Sequence, residues 1–217
     1  MVAEWLNTVF YGFDRAMFEF SHLLAVQGGK FTVGFFSFIS MLGEEGWFLI
    51  VLSVIALLFK NTRKVGLAIL IGLLFGTLIN NSVVKNLVSR PRPYTANSEY
   101  FSWYEFVGAP HTGKNSFPSG HSACTMSAVV AYILMSKNKF RFFALLYALV
   151  MGFSRIFLIV HYTTDVLAGF IVGGITGTLA YFAVKGIFAL LEKHKDKKWI
   201  NWILNCEIKN LFKKKEN

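Results

Sequence analysis

Three short stretches of this sequence carry residues that could hold and attack an anion. "KNLVSRPRP" sets Lys85 and Arg92 seven positions apart with Arg90 between them. "PSGH" sets Ser119, Gly120 and His121 at a helix start, and "SRIFLIVHYTTD" contains Arg155, His161 and Asp165. A phosphate group needs what this set offers. Lysine and arginine neutralise its oxygens, arginine in a bidentate fork. Backbone N–H groups at a helix N-terminus bind the same oxygens with a favourable dipole. Gly120 allows close backbone approach, and Ser119 can donate one more hydrogen bond. Two histidines can divide the roles of nucleophile and proton donor.

The third stretch has the sharpest internal logic. His161 is expected at the end of a helix with Asp165 four residues on, a spacing that brings side chains together across one turn. A carboxylate on one imidazole N–H fixes the tautomer and leaves the other nitrogen free to attack. Arg155, on the same helix, is costly in lipid and should face a polar interior. Taken singly, each residue has a plainer reading. Lys85 fits a lysine snorkelling from a helix end, and Arg90 and Arg92 beside prolines fit a rigid interfacial loop. The pair His161–Asp165 fits a structural hydrogen bond, and His111 fits a loop histidine.

The elements that must position these residues read as membrane spans. The chain has 217 residues, 54% hydrophobic, with 23 phenylalanines and a mean hydropathy of +0.49. That is more apolar surface than soluble domains carry, and spans need about 20 apolar residues each. An amphipathic segment is expected over residues 1–20, followed by spans at about 22–42, 47–59, 65–84, from Ser119 to before 137–141, 142–160 and 166–191. Gln27, Gly28, Gly29 and Lys30 interrupt the first. The turn "GEEG" (43–46), the long non-apolar segment 85–118 and the turn "HYTTD" (161–165) then share one face. The cations Lys60, Arg63, Lys64, Lys137, Lys139 and Arg141 share the other with the lysine-rich tail. By the positive-inside rule that second face, with both termini, is cytoplasmic.

The expected architecture is therefore all-α: a polytopic membrane protein of six transmembrane helices with an extracytoplasmic active-site loop. Residues 1–192 form one membrane domain and 193–217 a basic cytoplasmic tail, whose Trp199 and Trp202 suit anionic headgroups. The net charge of +10 gathers between and after the apolar runs, which argues against nucleic acid. Cys124 and Cys206 are too few for a disulfide framework, and no cleavable signal peptide is expected. Gly169, Gly173 and Gly177 give small-residue spacing that could pack helices within one chain or between two.

In order, Lys85 with Arg92-Pro93, then Pro118-Ser119-Gly120-His121, then Ser154-Arg155 with His161 and Asp165, resemble the three-part signature of the type 2 phosphatidic acid phosphatase superfamily. Bacterial lipid phosphatases and vanadium haloperoxidases belong to it. The motifs cover about 85–165. The resemblance implies that His161 is the nucleophile and forms a phosphohistidine, that Asp165 orients it, and that His121 protonates the leaving oxygen. Lys85, Arg92, Ser119, Gly120 and Arg155 would hold the phosphoryl oxygens. Arg90 and His111 fall outside the signature. Neither a metal nor another cofactor is implied, because fixed cations do the neutralising work.

The expected partners are a bilayer and a lipid phosphate: undecaprenyl pyrophosphate, phosphatidylglycerol phosphate or phosphatidic acid. The oligomeric state stays open. The rival readings are a non-catalytic anion or lipid transporter and a vanadium haloperoxidase-like protein. One neutral and one protonated histidine predict a bell-shaped pH profile.

Overall fold

The computed structural model describes residues 1–110 and 112–206, without the side chains of 81–83; His111 and residues 207–217 of the basic tail lie outside the described residues. The described chain is all-helical. Helices α1 (Val2–Val9) and α2 (Tyr11–Leu42) precede a 3-10 turn (Glu44–Gly46) and α3 (Trp47–Leu57). Helix α4 (Arg63–Thr77) continues through a π-helical turn (Leu78–Val84) into α5 (Lys85–Val88). After α6 (Ser98–Phe106) come α7 (Gly120–Met135), α8 (Ala144–Phe157), α9 (Thr163–Lys193) and α10 (Lys198–Asn205).

The centre of the bundle is α7 lying along α9 and α4. Glycine makes that approach possible. A Cβ on Gly169 would sit 2.7 Å from the Ser119 carbonyl oxygen, and one on Gly173 would sit 2.5 Å from that of Ala123. A Cβ on Gly177 would collide with the Ser127 carbonyl. The small-residue stripe thus packs helices within the chain. It seats the start of α7 directly against the start of α9. Apolar side chains cover the outside as well as the core: Phe31, Ile171, Phe182 and Leu146 are among those exposed. In water such a belt would be an aggregation liability; in lipid it is the solvated surface.

Three helical stretches among the described residues are long and apolar enough to cross a membrane: Tyr11–Leu42, Arg63–Val88 and Thr163–Lys193. Helices α3, α7 and α8 have 11, 16 and 14 residues. At ~1.5 Å per residue they fall short of a ~30 Å hydrocarbon layer on their own. They run beside the long helices, and the cationic residues between them gather at the far end of the bundle. There Lys60, Arg63, Lys64 and Lys137 line one cavity with Phe188 and Leu204. Arg63 donates to the carbonyls of Ile203, at 2.6 Å, and Leu204, at 3.3 Å, at the end of α10. The cationic turn thereby docks the amphipathic tail helix beneath the bundle, with Ile200 and Leu204 buried and Trp199 and Trp202 exposed.

The N-terminal region departs from the sequence reading. Instead of an interfacial segment over 1–20 and a span over 22–42, α2 begins at Tyr11 and folds back at Gly29, where φ is 53° and ψ −143°. The Thr32 hydroxyl then reaches the Leu24 carbonyl at 3.2 Å. Phe20 and Phe36, ~24 Å apart on a straight helix, both pack on Phe153, with ring centroids 6.1 and 5.2 Å away. Asp14 on the first arm bonds Thr164, while Ser40 on the second bonds Arg155. The polar interruption at 27–30 is the physical reason. Glycine takes the left-handed backbone that a sharp bend requires, so this apolar stretch is a hairpin whose two ends meet the same end of the bundle.

Candidate active site

Each of the three stretches is delivered by a helix end. Ser119 is the N-cap of α7; its hydroxyl oxygen accepts from the Ser122 hydroxyl at 2.9 Å and faces the Ser122 N–H at 3.4 Å. That use leaves its own proton free to donate. The π-helical turn resets the register at the end of α4 so that Lys85 opens α5, and such turns concentrate at functional sites. Helix α8 ends at Phe157, and Ile159 adopts a left-handed φ of 56°. That conformation is rare for a β-branched residue. It drops His161 into the turn before α9. His161 and Asp165 are therefore neighbours across the short polar turn expected at 161–165, with Asp165 in the first turn of α9.

Arg92 and His161 form the centre. Arg92 donates through Nη1 to the Val160 carbonyl at 2.7 Å and through Nε to the Gly113 carbonyl at 2.8 Å. Its Nη1 also lies 2.9 Å from His161 Nε2. Guanidinium has no acceptor, so Nε2 must be the unprotonated nitrogen, which assigns the neutral tautomer with hydrogen on Nδ1. His161 Nδ1 faces Asp165 Oδ2 at 3.5 Å, long for a hydrogen bond. Burial, then the charges of Arg92, Arg155 and Lys85, hold His161 well below the usual histidine pKa, against a weak pull from the Ser116 backbone. Burial also lowers Arg92 from its usual value.

The remaining expected residues converge on the same place. His121 lies within electrostatic range of Arg155, His161, Arg92 and Lys85. A Cβ on Gly43 would sit 2.9 Å from His121 Cδ2, so the acidic turn after α2 closes against the ring. Arg155 is buried and bonds the Ser40 hydroxyl, and its Nε has no acceptor among the described residues. Gly120 opens α7 beside Ser119. A short antiparallel bridge, Pro91 to Asn115, ties the first motif to the second, and the Ser116 N–H donates to the Arg90 carbonyl at 2.7 Å. The Ser119 N–H donates to the Asp165 carbonyl at 3.0 Å, tying the second motif to the third. The segment between 94 and 117 carries α6, capped by the Asn97 side chain on the Tyr100 N–H at 2.8 Å. Its Tyr100, Tyr104 and Val107 pack with Phe18 of α2 and with Ile156 to Val160.

Sequence reasoning passed over Arg90, Asp14 and Thr164. Arg90 is fully buried and donates to Asp165 Oδ1 and the Thr164 hydroxyl, each at 2.7 Å, to Asp14 Oδ2 at 3.0 Å and to Asn7 Oδ1 at 2.8 Å. Its guanidinium stacks 3.6 Å from the centroid of the Tyr162 ring. The available signal was Asp14 itself, a carboxylate inside the apolar run "FYGFDRAMF", where an ionisable residue in a membrane segment needs a partner.

Comparison with known proteins gives the family. The PAP2 superfamily model matches residues 61–189. Phosphatidylglycerophosphatase B of Bacillus subtilis (strain 168) is 32% identical over 170 residues, covering 73% of this chain and 76% of that protein. The lipid A 4'-phosphatase of Bacteroides thetaiotaomicron is 31% identical over 156 residues, covering 69% of each. The crystal structure of the transmembrane PAP2-type phosphatidylglycerolphosphate phosphatase from Bacillus subtilis superposes with a TM-score of 0.62 at 26% identity, covering 91% of this chain and 92% of that one. The chain belongs to the PAP2 superfamily. It is a membrane lipid phosphatase, a hydrolase.

Proposed function

We propose that this phosphatase cleaves a lipid phosphate monoester or pyrophosphate through a phosphohistidine, without a metal ion. The observation that carries the reading is the Arg92–His161–Asp165 arrangement, in which a neutral imidazole has its free nitrogen at a cationic cup and its N–H toward a carboxylate. His161 Nε2 attacks phosphorus, forming an N–P bond while the P–O bond to the lipid breaks. His121 gives the leaving oxygen its proton, then takes one from the water that hydrolyses the phosphohistidine. Lys85, Arg92, Arg155, the Ser119 hydroxyl and the Gly120 N–H hold the phosphoryl oxygens, and Arg92 shifts its Nη1 donor from Nε2 to the substrate. Fixed cations at a dry site supply the stabilisation a metal gives elsewhere.

Among the substrates expected from the sequence, phosphatidylglycerol phosphate is favoured, on the names of the Bacillus subtilis relative and structural neighbour. Undecaprenyl pyrophosphate and phosphatidic acid are the alternatives. In a phosphate-release assay over these three lipids with chelator present, phosphatidylglycerol phosphate should give the highest kcat/KM. Complete loss of activity on adding chelator would defeat the metal-free reading, and inactivity on all three would defeat the substrate class.

The site is placed at the extracytoplasmic face, supported by the basic turns at the other end of α4, α7 and α9. With α2 a hairpin, five helical passages remain among the described residues (α3, α4–α5, α7, α8 and α9), and on this reading the N-terminus is on the site's side, not the cytoplasmic side. In a Cys124→Ala, Cys206→Ser background, a cysteine placed at Thr8, exposed on α1, should react with a membrane-impermeant maleimide in intact cells. Protection until the membrane is broken would restore a straight first span.

A further inference from the structure

We propose that Arg90 and Asp14 are positioning residues that hold Asp165 against the nucleophile, so that the N-terminal segment outside the matched family region completes the catalytic site. The proposal rests on the phosphohistidine reading above. Asp165 must present one oxygen to His161 Nδ1, yet a free carboxylate at a helix start can rotate. Here both oxygens are fixed. Oδ1 takes the Arg90 Nη1 donor at 2.7 Å, and Oδ2 takes the Tyr162 N–H at 3.0 Å while facing His161.

Arg90 is fixed in turn. Asp14 accepts from its Nη2 at 3.0 Å and Asn7 from its Nε at 2.8 Å, and Tyr162 covers its face. Asp14 also accepts the Thr164 N–H at 3.0 Å. That bond satisfies one of the orphan donors that open α9. The carboxylate comes from α2 and caps the very turn that carries Asp165. Asp14, Arg90 and Asp165 are each at most 3% exposed, so water does not compete for these bonds. Asn7 and Asp14 both precede the family-matched residues 61–189. The hairpin bend at Gly29 is what allows Asp14 to reach this corner while Ser40, on the other arm, steadies Arg155.

The arrangement also balances charge. The groups facing His161 are Lys85, Arg92 and Arg155, His121, and Asp165. Behind Asp165 stands the cation Arg90, whose charge Asp14 offsets. The nucleophile must be neutral to attack, so the acidic limb of kcat/KM follows its ionisation, and in the wild type that limb belongs below pH 6.5. Asp14→Asn deletes a negative charge, makes His161 harder to protonate and moves the limb to lower pH. Arg90→Gln deletes a positive charge and moves it to higher pH. Each displacement should be about half a unit.

The test uses full-length protein in detergent with phosphatidylglycerol phosphate as the probe, measuring kcat, KM and the pH profile of the wild type, His161→Ala, Asp14→Asn, Arg90→Gln and Asn7→Ala. Loss of aim should lower kcat about tenfold or more in Asp14→Asn and Arg90→Gln with little change in KM, and the two acidic limbs should move in opposite directions. Wild-type kcat and profile in both variants would overturn the proposal. So would an activity loss that leaves the limb in place, since a purely structural role predicts that result. Asn7→Ala removes one outer bond and keeps the test open if the buried variants do not fold: kcat should fall about threefold, and an unchanged kcat would overturn the proposal. An inactive wild type, or a fully active His161→Ala, would defeat the phosphohistidine reading itself. Dependence on His161 with indifference to Asp14, Arg90 and Asn7 would defeat this inference alone.

Discussion

His161→Ala should abolish turnover, lowering kcat by about 10⁴-fold or more, the scale seen when a covalent nucleophile is deleted. The protein should still fold, because Arg92 keeps its bonds to the Val160 and Gly113 carbonyls without the imidazole. No acid-labile phosphoenzyme should be trapped from this variant. His121→Gln should behave differently. It retains the nucleophile, so a substrate with a good leaving group should still phosphorylate it, while hydrolysis of the phosphoenzyme slows. A His161→Ala protein with wild-type turnover would transfer the nucleophile's role to another residue. Equal trapping from both variants would erase the distinction between the two histidines.

The second large effect concerns stability. Gly173→Ala places a methyl group 2.5 Å from the Ala123 carbonyl oxygen and 2.7 Å from Met126 Cβ. Neither neighbour is the free end of a long side chain, so α7 and α9 must separate. Overpacking of this kind costs about 3 kcal/mol, or a melting temperature lower by about 10 °C for a chain of this size. Activity should fall with it, because α7 carries Ser119 and His121 and α9 carries Asp165. Gly174→Ala is the matched control. Among the described residues nothing lies within 4 Å of its added Cβ, and alanine favours helix over glycine by ~1 kcal/mol. Thermal unfolding in detergent should therefore find Gly174→Ala at or above the wild-type midpoint. Equal midpoints for the two variants would show that the α7–α9 contact is not close-packed.

The proposed phosphate-binding set could be named from the sequence because its chemistry is stated by residue type. Lysine, arginine and histidine at the ends of apolar runs have few reasons to be there, and Ser119 before Gly120 announces a helix start by its capping preference. Helix positions followed from apolar run length: the expected 166–191 became Thr163–Lys193, and 142–160 became Ala144–Phe157. The i, i+4 spacing across the 161–165 turn does bring His161 and Asp165 together, although the helix before it stops short of the expected residue 160. The left-handed Ile159, a conformation the sequence does not announce, ends α8 early and leaves His161 outside any helix.

The N-terminal region was not legible in the same way. Hydropathy reports how much of a segment is apolar, and Tyr11–Leu42 satisfies it whether the chain runs straight or folds back at Gly29. The bend depends on Phe20 and Phe36 finding the same Phe153, a contact between residues more than a hundred positions apart. Arg90 shows the limit most plainly. Its type and its place beside a proline fitted an interfacial loop, and only the fold surrounds it with Asp14, Thr164 and Asp165. Sequence by itself determined which residue types are suited to an anion and which runs are apolar, since both are properties of side chains and their order. Tertiary structure alone decided which carboxylate faces which cation and where α2 turns back, because those depend on burial and distance between segments far apart in the chain.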